Sequence, residues 1–125
     1  MRLSQAILII GGLTAGCLAA LAPAAAQADD AAFYDAAYAR CTKELTAAIK
    51  PPKGQVLTFA AKEATLGVYG DEYGFSFNAG SISMGPKGAP VASEHVGSCW
   101  GVPGRRSLHL VVLNGKPVSE TLISF

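Results

Sequence analysis

The chain has 125 residues, ten Lys plus Arg against nine Asp plus Glu, and a hydrophobic fraction of 50%. This near-balance leaves no basic field to hold a nucleic-acid backbone, and no run of like charges marks a tail.

The first element in chain order is an export signal. Residues 1–28 carry Arg2 as their only charge, an apolar stretch from Ala6 to about Leu21, a helix-breaking Pro23 and a small-x-small close at Ala26-Gln27-Ala28. A signal peptidase reads that pattern, and the glycines and Pro23 favour removal over a permanent span of about 20 residues. Residues 29–125 are then a single mature domain with nine basic and nine acidic side chains. A second cut is written in Leu13-Thr14-Ala15-Gly16-Cys17, which resembles the lipobox where bacterial lipoproteins are cleaved and acylated on cysteine, with Thr14 where that motif has leucine. Both cuts place the folded part in the periplasm or outside the cell; the first leaves it without a membrane span, the second tethers it by a lipid at Cys17.

Removing the leader leaves two cysteines, Cys41 and Cys99. In an oxidising compartment they are expected to form a disulfide, which suits a domain near the size at which a hydrophobic core alone is only marginally sufficient.

From Asp30 to Lys50 the composition favours a helix, with an Asp able to cap its start and Pro51-Pro52 to stop it. Phe33, Ala37, Cys41, Leu45 and Ala48 or Ile49 recur at three- and four-residue steps, forming one apolar stripe that turns Cys41 toward the core.

After the Pro-Pro-Lys-Gly linker the period changes to alternation. Strands are expected over 55–61, 64–70 and 72–80, joined by tight turns at Lys62-Glu63 and Gly70-Asp71. In the third, Tyr73, Phe75 and Phe77 alternate with Gly74, Ser76 and Asn78, giving an aromatic face and a small, polar one. Residues 81–84 extend that strand or begin another, residues 85–90 read as a Gly-Pro loop, and residues 91–96 as a further strand. The last hairpin is the clearest: 107–113 and 116–125 flank Asn114-Gly115, the dipeptide best able to take two positive φ angles. Leu108, Leu110 and Val112 are expected on one side of it. Pro117 places the final strand at an edge or on a bulge. The whole pattern is α+β: one amino-terminal helix packed on an antiparallel sheet of five to seven strands, with one disulfide.

The stretch Cys99-Trp100-Gly101-Val102-Pro103-Gly104-Arg105-Arg106 admits two readings. In one, Trp100 packs over the disulfide and the glycines and proline turn the chain into the last hairpin. In the other, Trp100, Val102, Arg105 and Arg106 stand on a rigid, cross-linked loop as a binding surface, Trp and Arg being the types most enriched at binding hot spots.

The catalytic inventory is short. His95 and His109 fall in different segments, and no HExxH, GxSxG, CxxC or phosphate loop is present. The expected function is a non-catalytic binding module, without cofactor or metal, engaging an envelope or extracellular protein as inhibitor or accessory subunit. The alternatives are a small hydrolase or metal-dependent enzyme using His95 or His109, and a carrier of a small apolar ligand held near Tyr69, Tyr73, Phe75 and Phe77.

Overall fold

Helix-favouring residues 30–49 form the helix α1, with Asp30 already inside it. Lys50 ends it in the left-handed region, φ 55°, with its N–H returned to the Thr46 carbonyl before Pro51 prevents continuation. The computed structural model describes residues 30–119 and 121–125, of which Tyr34–Phe125 form one compact unit. The export signal, the mature terminus at Asp29 and the Cys17 anchor lie outside the described residues.

Among the described residues eight strands and one short helical turn follow: β1 (Gln55–Phe59), α2 (Lys62–Thr65), β2 (Leu66–Tyr69), β3 (Glu72–Phe77), β4 (Ile82–Pro86), β5 (Gly97–Gly101), β6 (Ser107–Leu113), β7 (Lys116–Ser119) and β8 (Ile123–Ser124). They make two antiparallel sheets. One has six strands in the order β2-β3-β5-β6-β7, with β8 also paired to β6; the other is the two-stranded ribbon β1-β4. The α+β expectation holds, with one main helix and one disulfide.

The core lies between α1 and one face of the larger sheet. Ala37, Cys41 and Leu45 of the helix stripe are fully buried, and so are Tyr73, Phe75, Cys99, Leu108 and Val111 of the sheet. Strand β5 turns Gly97, Cys99 and Gly101 inward, a row of small residues against which the helix can sit close. A Cβ on Gly97 would lie 3.1 Å from the Leu45 side chain, and one on Gly101 would meet the Tyr73 ring. Cys41 and Cys99 meet in this trench, Cα atoms 5.9 Å apart, and their disulfide closes a loop of sequence separation 58. On the chain-entropy account that constraint stabilises the fold by about 4 kcal/mol. Rings fill the remaining space edge to face: Tyr34 on Tyr73, Tyr38 on Phe75 and Phe59 on Phe77, with centroids 5.2–5.6 Å apart.

Four local expectations are corrected. Lys62-Glu63 is not a hairpin turn: Lys62–Thr65 is a helical turn, and β1 pairs with β4 rather than β2. The Tyr38 hydroxyl donates to the Ala60 carbonyl and Lys62 pairs with Asp35, so α1 holds the chain where it leaves the ribbon for the second sheet. Residues 85 and 86 belong to β4, which shortens the expected loop. Residues 91–96 make one isolated bridge, Ala92 with Ser83, and the regular strand begins at Gly97. In β6 the expected alternation breaks at His109. Leu108 pairs with Gly101 and Leu110 with Trp100, so His109 is the extra residue of a bulge, and Leu108 shares the buried face with Val111.

The other turns follow their sequence. Gly70-Asp71 joins β2 to β3 with Gly70 at φ 68°, and Asn114-Gly115 joins β6 to β7 at φ 51° and 81°. Pro117 sits on the edge strand β7 beside a register shift, where its missing N–H costs no ladder bond.

Candidate binding surface

Alternation along β3 and β5 sends their remaining side chains to the face of the sheet opposite α1. On that face Gly67, Gly74 and Trp100 lie in register across β2, β3 and β5. A Cβ on Gly74 would collide with the Trp100 ring, and one on Gly67 with the Tyr69 ring. Each aromatic therefore lies over a glycine, using the backbone as a floor. The two centroids are 6.1 Å apart with their planes at 43°. Tyr69 is 60% exposed and Trp100 half-buried, its indole N–H donating to Ser98 Oγ at 3.1 Å. Trp100 is thus in a strand and on the far side of the sheet from the disulfide, since its neighbour Cys99 faces inward.

Beside Trp100 a shallow groove of about 260 Å³ runs along the sheet, lined by Ser76, Asn78, Ser98, Trp100 and Val112. At the other end of the strand the chain turns through residues 102–105, with the Arg105 N–H bonded to the Val102 carbonyl. Val102, Arg105, Ser107, His109 and Leu122 surround a hollow of about 120 Å³ there, and Leu122 is 68% exposed.

The sequence grouped Trp100, Val102, Arg105 and Arg106; the fold gives them different surroundings. Arg105 is exposed at the turn. Arg106 faces the end of the chain, its Nε donating to the Phe125 carbonyl at 3.2 Å and its guanidinium 5.1 Å from the Phe125 ring. Backbone bonding from Phe125 N–H to the Arg106 carbonyl completes that tie. The sequence cue that separates the two arginines is weak: only pairing of β8 with the start of β6 brings Phe125 alongside.

The histidines lie apart on the fold. His95 Nδ1 is 3.2 Å from the Asn114 amide at the β6-β7 turn, while His109, carried on its bulge, lies 3.0 Å from Glu72. The Ser93 hydroxyl is 2.7 Å from the Ile82 carbonyl and donates to it rather than to a histidine. Among the described residues no group of three His, Cys, Asp or Glu is gathered as a metal site would require. Of the aromatics considered for an apolar ligand, Tyr73 and Phe75 pack on each other and, with Phe77, against the rings of α1, and Tyr69 lies on the opposite face. A wider cleft of about 480 Å³ opens between α1 and β1, lined by Ala39, Thr42, Thr46, Leu57 and Phe59.

Burial pushes the Tyr73 phenol up to about 12, with the neighbouring Tyr34 phenol adding to the effect. Tyr38 is raised too, first by burial and then by the negative charge of Glu63. Lys62 is raised chiefly by its hydrogen bond to Asp35. Among the described residues no helix is long and apolar enough to cross a membrane. No family model matches the chain, and no curated protein or solved structure matches it.

Proposed function

We propose that this chain is an exported, non-catalytic binding module that engages a protein partner in the cell envelope or outside it, as inhibitor or accessory subunit. The surface assigned to that contact is the turn end of the outer sheet face, with Val102, Arg105 and Leu122 at its centre and Trp100 at its border. The observation that carries the reading is the mounting of this turn. It leaves β5 three residues after a cysteine cross-linked to the helix, so a loop exposing a guanidinium and apolar surface is held on a braced strand. A rigid loop loses little conformational entropy on binding, and Arg and Trp are frequent anchors of protein contacts. The Cys41–Cys99 bond and the apolar leader both suit work in an oxidising space.

Affinity capture from the envelope fraction tests the proposal. Wild-type bait is expected to retain a protein that Arg105→Ala and Leu122→Ala baits lose, while all three baits melt at the same temperature. Equal capture by all three would remove this surface from consideration.

A further inference from the structure

The groove beside Trp100 has a chemistry distinct from that of the turn. We infer that the outer face binds a neutral glycan, with one gluco-configured pyranose stacked on Trp100 and its neighbours bonded along Ser76, Asn78 and Ser98. This goes beyond the protein-partner reading and does not depend on it.

The glycine floor shapes this surface. Trp100 and Tyr69 do not stand upright among other side chains; each lies over a glycine, Gly74 and Gly67, so one ring face is against backbone and the other is turned away from it. A pyranose whose hydroxyls are equatorial offers axial C–H bonds to such a ring and a rim of hydroxyls to its surroundings, so its recognition needs an aromatic plane bordered by small polar groups. Both are present. Ser98 borders the ring, Ser76 and Asn78 line the groove beyond it, and among the described residues the groove has no Lys, Arg, Asp or Glu in its lining, which favours an uncharged ligand. The 43° angle between the two planes matters as well. Both rings lie over the same sheet face, so at 6.1 Å and this tilt they form a bent platform on which successive units of a twisted chain can each find a face. From Trp100 the groove continues along the strands past Ser98 toward Asn78 and Val112.

Trp100 is the chain's only tryptophan, so its fluorescence reports this site and no other. The purified protein should be titrated with cellotetraose and with chitotetraose, two neutral β-linked probes. A saturable blue shift with at least one of them is expected, with the matching heat in calorimetry. Tyr69→Ala should keep the melting temperature, because that ring is mostly exposed, and weaken binding severalfold while leaving the Trp100 signal readable. Trp100→Ala, followed by calorimetry with its fold checked by circular dichroism, should weaken binding by at least about tenfold, as for loss of a hot-spot anchor.

Two outcomes would overturn the inference. With neither probe shifting the fluorescence of folded protein at about 10 mM, well above the Kd of a weak specific site, the rings serve only to cover the glycines. Heat of binding that survives both substitutions would place the sugar elsewhere. Capture of a protein dependent on Arg105 and Leu122 can succeed or fail independently of both.

Discussion

The two faces of the six-stranded sheet are built from alternate residues of the same strands, and they solve opposite problems. On the inner face β3 supplies bulk, Tyr73, Phe75 and Phe77, while β5 supplies almost none, with Gly97, Cys99 and Gly101. On the outer face the assignment is reversed: β3 turns out Gly74 and Ser76, and β5 turns out Trp100. Each strand thus fills the space that its neighbour leaves. Inside, the filling is closed off by α1 and locked by the disulfide; outside, it ends in rings with solvent-facing surface. A small domain can thus spend one side of a sheet on stability and keep the other as a firm, open platform, because a single strand pair sets both.

The largest effect should come from the lock between α1 and β5. Cys41→Ser is expected to lower unfolding free energy by about 4 kcal/mol from the lost loop constraint, with a further loss from a hydroxyl in the core, measured by denaturant unfolding. Next, the faces should differ when their aromatics are truncated. Phe75→Ala should cost about 3–5 kcal/mol because it opens a cavity, whereas Trp100→Ala should cost only about 1–2 kcal/mol because its space opens to water. Equal costs would erase the distinction between the faces.

A pH series sharpens the same contrast. Tyr73 has a folded pKa of about 12 against an ordinary value of about 10. The fold therefore favours its neutral form, and that stabilisation is complete below about pH 10 and lost as the pH rises through about 12. Tyr38 and Lys62, both raised, act in the same direction. Melting temperature should fall above about pH 10, tracked with tyrosinate absorbance, and Tyr73→Phe should flatten the fall.

The smallest effects belong to the turn. Arg106→Ala should cost about 1 kcal/mol, losing its bond and ring contact with Phe125, while Arg105→Ala should stay within about 0.5 kcal/mol in thermal melts. A larger cost for Arg105 would make it a structural residue and withdraw it from the proposed contact.

What was legible in the sequence was local. The α1 stripe through Ala37, Cys41 and Leu45 follows from helical period, the Asn114-Gly115 turn from positive φ, and the disulfide from Cys41 and Cys99, the two cysteines that stand outside the expected leader. What was not legible depended on distant partners. β1 and β4 are separated by two strands of another sheet, and nothing in the residues 55–59 says which strand they will meet. The bulge at His109 inserts one residue into β6 and reverses the alternation beyond it, so periodicity alone groups Leu110 and Val112 with Leu108, from which the fold separates them. The candidate surface was half legible: Trp100 stood out by type, but the glycines beneath the rings, Gly67 and Gly74, gain their meaning only when three strands come into register. Arg106 looked equivalent to Arg105 until β8 brought Phe125 beside it.

Iodide quenching of the single tryptophan tests the division of the sheet most directly. In the purified, oxidised protein, Trp100 should be quenched readily, at a level between free indole and a buried ring, and the value should not change on dilution. Quenching as weak as that of a core tryptophan would contradict the account, because the outer face would then be covered rather than open.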